Sequence, residues 1–273
     1  IRRPPRSTPK PSSAASDVYK RQPLWSAVLG GVSGSVLNGA SNVINQYFDI
    51  DIDRINKPHR PLPSGRIDKK YALLYGISLY LVSLSLAFSV GLQFFAIGTA
   101  AAFFTLMYSV PPVRTKNHGL IGNLTLIPRG ILPIVAGWSI SKPVFSIEPW
   151  ALGAILGIFV FGANTSKDFS DIRGDSVHGA RTLPVIYGHE KSARMMMPFL
   201  VLPFLLVPLF VWLGWLIPNT LPLTLLSIWG LCVSFIILRD PSKLTIERNH
   251  PSWVHMYMIM LVFTLGAVIA YIP

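Results

Sequence analysis

The sequence predicts an all-α protein whose helices form a polytopic transmembrane bundle, and three observations support this. Of the 273 residues, 51% are hydrophobic and only 13% are charged, whereas a soluble domain carries about a quarter charged residues. Eight apolar runs are each close to the ~20 residues that a helix needs to cross a bilayer. Basic residues gather in alternate loops between these runs, as in multi-pass membrane proteins. A soluble domain, a disordered chain and a coiled coil are therefore disfavoured.

The apolar runs predict eight membrane helices. In chain order they cover residues 24–47, 71–92, 94–110, 120–141, 149–167, 194–214, 220–238 and 252–272. The runs are continuous rather than alternating, which argues against transmembrane strands. The first run is the least apolar, and its small residues would let neighbouring helices approach closely. Prolines inside the fourth and sixth runs are tolerated in membrane helices as kinks.

The N-terminal segment 1–22 differs in character from the rest of the chain. It is polar, rich in proline and serine and free of any apolar run, so it does not resemble a signal peptide. We interpret it as a non-native or disordered tail, of the kind that a translated sequencing adapter leaves. The membrane domain is then predicted at 23–273. The single cysteine, Cys232, permits no intramolecular disulfide.

The positions of the basic residues predict the topology. Loops on one side of the helices hold Arg54, Lys57, Arg60, Arg66, Lys69, Lys70, Arg114, Lys116, Arg173, Arg181, Lys191, Arg239, Lys243 and Arg248. Loops on the other side hold Lys142 alone. Basic loops stay on the cytoplasmic side, so we predict an integral protein of the cell membrane with these polar loops in the cytoplasm. This distribution explains why the membrane domain is basic without a nucleic-acid partner, and segment 1–22 supplies the rest of the net charge of +12.

The acidic residues form two clusters, and the first lies where the first predicted helix reaches the cytoplasmic side. Its sequence is NQYFDIDID. If the helix continues, Asn45, Asp49 and Asp53 follow one another at steps of four and share one face, whereas Asp51 points elsewhere. Three oxygen-bearing side chains on one face are candidates for binding a cation.

The second cluster, KDFSDIRGD, begins where the fifth predicted helix reaches the same side. Asp168, Asp171 and Asp175 share a face at steps of three and four. Clustered carboxylates at membrane depth repel one another and are costly to desolvate unless a cation neutralises them. Oxygen ligands without His or Cys suit Mg²⁺, which commonly shares its coordination shell with substrate phosphates. The two clusters therefore predict a diphosphate bound through Mg²⁺, with ordinary surface ion pairs as the alternative.

Basic residues accompany both clusters. Arg60 follows the first cluster and Arg181 the second, in loops similar enough to hint at an internal duplication. A third loop, YSVPPVRTK, supplies Arg114 and Lys116, which could hold the outer oxygens of a diphosphate or could simply anchor the loop. Arg129 lies inside the fourth predicted helix. An intramembrane arginine is a functional candidate, although it could instead pair with an acid for packing.

Three motifs together resemble those of the UbiA superfamily of intramembrane aromatic prenyltransferases. They are NQYFDIDID followed by RINKPHRPLPSG, then YSVPPVRTK, and finally KDFSDIRGD followed by GARTLPVIYG. The resemblance covers about residues 24–272. The family has nine transmembrane helices with the first acidic motif on the second of them, so the resemblance implies that the first helix is missing here.

The resemblance implies a Mg²⁺-dependent enzyme that transfers a polyprenyl group from an isoprenyl diphosphate to a hydrophobic acceptor within the lipid bilayer. The metal ligands that it implies are Asn45, Asp49, Asp53, Asp168, Asp171 and Asp175. The catalytic residues among them are Asp49, Asp53, Asp171 and Asp175. The implied diphosphate-binding residues are Asn45, Tyr108, Arg114, Lys116, Arg60 and Arg181.

The acceptor remains open at this point. DIDRINKPHRPLPSGRI resembles archaeal lipid-ether synthases, whose acceptor is geranylgeranylglyceryl phosphate, and also chlorophyll synthases, whereas YSVPPVRTKNHGLIGN leans toward chlorophyll-synthase relatives. We rank a lipid or polycyclic acceptor above 4-hydroxybenzoate. A membrane cation or proton transporter is the non-enzyme alternative, but transporters usually place their acids near the bilayer midplane, and here the acids lie at one face.

Overall fold

The computed structural model describes residues 13–245 and 250–272, and this part of the chain folds into helices without any strand. The α-helices are α1 (Ser13–Phe48), α2 (Ile50–Asn56), α3 (Lys69–Val90), α4 (Leu92–Ser109), α5 (Leu120–Leu124), α6 (Pro128–Ser139), α7 (Glu148–Asp168), α8 (Ile172–Val177), α9 (Leu183–Trp212), α10 (Leu226–Arg239) and α11 (Pro251–Ala270). Short 3₁₀ segments cover Thr115–His118, Phe169–Asp171, Pro218–Leu225 and Pro241–Thr245.

Seven helical stretches of the described chain are long and apolar enough to cross a membrane, which confirms the predicted all-α membrane fold. They are Lys69–Val90, Leu92–Ser109, Leu120–Ser139, Glu148–Val177, Leu183–Trp212, Pro218–Arg239 and Pro251–Ala270. The first predicted segment, 24–47, is also helical but is not one of these seven. Its helix, α1, begins at Ser13, inside the segment 1–22 that was predicted to be a tail. Residues 1–12 lie outside the described part, so the tail assignment stays a prediction.

The fourth and sixth predicted helices differ from the structure in ways that their sequences explain. The predicted helix 120–141 is interrupted, and α6 starts afresh at Pro128, because proline has no N–H for a helical hydrogen bond but fits the first position of a new helix. The predicted helix 194–214 starts earlier, at Leu183. Gly188, whose φ is 75°, interrupts the helix after its first five residues, and glycine adopts this conformation readily. The polar residues 189–194 then continue the helix into the predicted apolar run.

Two main apolar cores, with a small third cluster of Ile50, Leu62 and Ala72, hold the described part of the bundle together. In the larger one, α7, α9, α10 and α11 surround phenylalanines whose rings pack at a tilt, with centroids 5.3 Å apart for Phe159 and Phe204 and 5.9 Å apart for Phe204 and Phe263. In the smaller one, α1, α3 and α4 pack around Ile44 and Tyr80. Helix α6 lies between α4 and α7 and joins the two halves.

The helices that carry the predicted motifs end at one face of the bundle. At this face the Asn45 amide at the end of α1 donates to the Ser109 hydroxyl at the end of α4, at 3.3 Å. The Lys57 ammonium, just after α2, pairs with the Asp171 carboxylate beyond α7. The segments 45–60, 108–118 and 168–182 therefore meet, as alternate loops of a membrane bundle should.

Candidate functional site

A polar cavity of about 600 Å³ opens at the face where these segments meet. Helices α1, α2, α4, α7, α8 and α11 all contribute to its wall. The predicted site residues that line it are Asn45, Asp49, Asp53, Arg60, Tyr108, Lys116, Asp168, Asp171 and Asp175. Both acidic motifs thus face one space, although more than a hundred residues of chain separate them.

The first motif faces the cavity because the helical register continues across the junction of α1 and α2. The Asp49 N–H donates to the Asn45 carbonyl at 3.0 Å, and the Asp53 N–H donates to the Asp49 carbonyl at 2.7 Å. Asp49 and Asp53 are 7% and 3% exposed. By contrast, the Asp51 side chain is 64% exposed and pairs with Arg54 outside the cavity. The predicted division of this motif into inward and outward acids is therefore correct.

The second motif lies where α7 ends and α8 begins. A 3₁₀ turn, Phe169–Asp171, joins the two helices and keeps Asp168, Asp171 and Asp175 on the cavity wall. Asp175 is buried. Among the described residues, neither Asp168 nor Asp175 forms an ion pair. These two carboxylates are available to a cation inside the cavity.

The carboxylates of the first motif are each held by basic residues. Asp49 accepts a hydrogen bond of 2.8 Å from Arg114 and also pairs with Lys116. Asp53 accepts a hydrogen bond of 2.8 Å from Arg60. Burial raises the pKa of Asp53 above its usual range, and the Arg60 guanidinium opposes that shift. The cavity therefore holds fixed positive charges directly beside its acids.

Asn56 and Lys57, which the sequence motifs did not identify as site residues, join the two acidic motifs. The Asn56 amide nitrogen donates to the Asp171 carbonyl at 2.9 Å, and its oxygen accepts from the Gly174 N–H at 2.8 Å. Lys57 lines the cavity and pairs with the Asp171 carboxylate. The sequence could have predicted a role for Asn56, because it lies three residues after Asp53 and so continues the same helix face.

Arg181 was predicted to bind the diphosphate, but its side chain does not line the polar cavity. The chain turns at Gly179, whose φ is 71°, and the exposed Arg181 lies against the loop after α4. There its backbone N–H donates to the Asn117 carbonyl at 3.1 Å. Arg114 also lies behind the cavity wall, and it acts on the site through Asp49.

Arg129 is an intramembrane cation at the inner end of the polar cavity. Its guanidinium donates to the Ser41 hydroxyl at 3.0 Å and lies 5.4 Å from the centroid of the Tyr108 ring. No described acid forms an ion pair with it. The packing alternative, in which Arg129 pairs with an acid, therefore has no support among the described residues.

An apolar cavity of about 520 Å³ adjoins the polar one between α1, α4 and α6. Leu37, Phe94, Leu132 and Ile140 are among the residues that line it, and Arg129 lines both cavities. The two cavities together offer a charged compartment beside an apolar one. This arrangement suits a ligand with an anionic head and a long hydrocarbon tail.

The donor set of the polar cavity fits Mg²⁺. Its acids and Asn45 offer oxygen ligands, which a hard cation prefers, and no described His or Cys lines the cavity. Within the described residues, no three acidic, histidine or cysteine side chains converge on one point. Each ion would therefore bind one or two carboxylates here, and Mg²⁺ commonly completes such a shell with water and substrate phosphates.

The chain matches the UbiA prenyltransferase family over residues 12–263, a range that includes every residue lining the polar cavity. It is 32% identical over 252 residues to a digeranylgeranylglyceryl phosphate synthase from Methanosphaera stadtmanae, covering 89% of this chain and 88% of that protein. It is 34% identical over 165 residues to the bacteriochlorophyll synthase 34 kDa chain from Chloroflexus aurantiacus, covering 60% and 53%. Among solved structures, it is similar to a UbiA homolog from Archaeoglobus fulgidus bound to GPP and Mg²⁺, with a TM-score of 0.73 and 24% identity, covering 90% and 87%.

Proposed function

Because the chain belongs to the UbiA prenyltransferase family, we propose that the polar cavity is its active site. The reaction is the Mg²⁺-dependent transfer of a polyprenyl group from an isoprenyl diphosphate to a hydrophobic acceptor, with release of diphosphate. The observation that carries this proposal is the convergence of both acidic motifs on one cavity that adjoins an apolar one. A diphosphate head fits the first compartment and an isoprenoid tail fits the second.

The roles of the residues follow from their positions. Bound Mg²⁺ would neutralise the diphosphate and help it to leave with the bonding electrons. Asn45, Asp49 and Asp53 would hold one Mg²⁺ ion. Asp171 and Asp175 would hold the other, with Asp168 as a supporting ligand. Lys116 and Arg60 lie against these acids and can stabilise the charge that grows on the leaving diphosphate. Tyr108, on the cavity wall, is proposed to contact the diphosphate.

The apolar compartment serves the other half of the reaction. As the bond between the prenyl carbon and the diphosphate oxygen breaks, positive charge develops on the prenyl group. A dry cavity keeps water from trapping that group, so an acceptor nucleophile can form the new bond and lose its proton. The prenyl chain is expected to lie against Leu37, Phe94 and Leu132.

The acceptor is proposed to be a lipid. The relative from Methanosphaera stadtmanae, which aligns along 88% of its length, is named for the product digeranylgeranylglyceryl phosphate. The bacteriochlorophyll synthase chain aligns along only 53% of its length. Geranylgeranylglyceryl phosphate is therefore the first acceptor to test, and a polycyclic acceptor is the second.

The active-site face is proposed to lie in the cytoplasm. The loops at this face carry Lys57, Arg60, Arg114 and Lys116 among many other basic residues, whereas the opposite loops carry Lys142 alone. Such an asymmetry favours retention of the basic side in the cytoplasm. Cysteine labelling of intact cells at exposed positions on each face would test this orientation.

A transfer assay tests the proposed reaction. Membranes that contain the full chain would receive geranylgeranyl diphosphate, Mg²⁺ and a set of acceptors, and mass spectrometry would identify the products. We expect a prenylated product that disappears when EDTA removes Mg²⁺ and in the Asp171→Asn variant. A folded protein that yields no product from any acceptor or prenyl chain length would contradict the proposal.

Asn56 is expected to position the second motif rather than to touch substrate. Removal of its two hydrogen bonds in Asn56→Ala should lower kcat/KM by about 10- to 100-fold, as changes behind metal ligands do. Because Asp171 would lose its support, the Mg²⁺ concentration for half-maximal activity should also rise. Ser176→Ala is the control, since this exposed hydroxyl bonds only within its own turn. An unchanged Mg²⁺ requirement in Asn56→Ala would contradict the positioning role.

A further inference from the structure

A groove of about 170 Å³ lies between α7 and α11 and adjoins the polar cavity on a different side from the large apolar cavity. We call it the α7–α11 groove. Val160, Lys167, Met256 and Met260 are among the residues that line it. Arg129, Lys167, Trp253 and Tyr257 line both the groove and the polar cavity, so a ligand in the groove would reach the site of reaction.

The groove is polar at one end and apolar at the other. Helix α7 runs toward the active-site face and α11 runs away from it, so Lys167 and Trp253 lie at the polar end. Val160 and Met260 are each seven residues further from that end, which corresponds to roughly 10 Å along a helix. The groove therefore has the polarity of a lipid whose headgroup lies near the active-site face.

The polar end is cationic. The Lys167 ammonium lies 5.6 Å from the centroid of the Tyr257 ring, and among the described residues it forms no ion pair. In the described part of the chain, the Arg129 guanidinium contacts a neutral hydroxyl and an aromatic ring but no acid. The buried Trp253 indole nitrogen has no hydrogen-bond acceptor in the described part of the chain. Within the described residues no acidic side chain lines the groove, so an anionic ligand would satisfy these donors.

We propose that the α7–α11 groove binds the acceptor, and that the acceptor is a single-chain amphiphile with an anionic headgroup. The anion is a phosphate or a carboxylate, and it is a different group from the nucleophile that attacks the prenyl carbon. This inference rests on the proposed prenyl transfer. The headgroup interacts with Lys167 and Arg129, and the hydrocarbon chain lies against Val160 and Met256. The isoprenyl chain of the donor occupies the larger cavity on the other side of Arg129, so the two substrates reach the acids from separate sides.

Lys167→Gln tests the proposal, because the side chain is exposed and its replacement should not disturb folding. Its matched control is Lys191→Gln, a lysine that also lies over a tyrosine, 4.7 Å from the Tyr187 ring centroid, but away from both cavities. Transfer would be measured with geranylgeranylglyceryl phosphate, with geranylgeranylglycerol, which lacks the phosphate, and with 4-hydroxybenzoate as an aromatic carboxylate. Native mass spectrometry of each purified protein with the two lipids would measure binding without turnover.

We expect Lys167→Gln to raise KM for the lipid phosphate by about tenfold, the usual effect of losing a hydrogen bond to a charged group. KM for the prenyl diphosphate and for geranylgeranylglycerol should stay the same, and native mass spectrometry should show a parallel loss of bound lipid phosphate. Lys191→Gln should match the unmodified protein. If 4-hydroxybenzoate responds in place of the lipid phosphate, the anion is an aromatic carboxylate and the lipid assignment is overturned.

Two other results would overturn the inference. In the first, Lys167→Gln changes KM equally for the charged and the neutral lipid. In the second, it changes the KM of the prenyl diphosphate instead. Either result would mean that the groove does not bind the acceptor headgroup. These results presuppose product formation by the unmodified protein. Absence of any Mg²⁺-dependent product would instead contradict the proposed function, and the two failures are thereby distinguished.

Discussion

Replacing Asp49 with asparagine should lower kcat/KM by at least about 100-fold, the scale on which loss of one preorganised electrostatic contact slows an enzyme. Asp49 lies at the junction of α1 and α2, is 7% exposed, and forms ion pairs with both Arg114 and Lys116. Its neutralisation would remove a proposed metal ligand and leave two cations without their counter-charge. The rate of product formation, measured at several Mg²⁺ concentrations in membranes, checks this prediction.

The control for this change is Asp51→Asn. Asp51 lies two residues away in α2, but its side chain is 64% exposed and pairs only with Arg54. Such exposed pairs contribute little to stability, so activity should remain within about twofold of that of the unmodified protein. If both substitutions reduced activity equally, the inward face of α2 would have no special role, and the assignment of Asp49 would be wrong.

Gly130→Ala should strongly destabilise the helical bundle. A Cβ atom at Gly130 would lie 2.5 Å from the Cα and N atoms of Gly157, so α6 and α7 cross backbone to backbone at this point. Overfilled sites cost 1–3 kcal/mol where side chains can move, and here the obstacle is main chain. We expect a loss of about 3 kcal/mol or more and a Tm lower by at least about 5 °C.

Gly137→Ala provides the matched comparison within α6, because a Cβ atom there meets nothing within 4 Å. Alanine favours a helix more than glycine does, so the Tm of this variant should be unchanged or slightly raised. A fluorescence-based thermal unfolding assay in one detergent would compare the variants. Equal Tm values for Gly130→Ala and the unmodified protein would show that the two helices can separate at no cost.

Much of the fold was predictable because a bilayer imposes a simple rule on sequence. A helix that crosses hydrocarbon must be long and apolar, so the spans are visible as composition. The errors lie where polar sequence continues a helix beyond the apolar run, as at Leu183, or where Pro128 restarts one. Hydropathy does not register either event, because both are properties of the backbone.

The sequence by itself determined the membrane bundle, the common side of the basic loops and the inward face that Asn45, Asp49 and Asp53 share, since each follows from local periodicity. Tertiary structure alone decided that Asn56 and Lys57 tie the second motif to the first. It also decided that Arg181 lies outside the polar cavity, and that Arg129 lines the polar cavity, the apolar cavity and the α7–α11 groove. These contacts join residues distant in the chain, and their partners depend on where the helices cross.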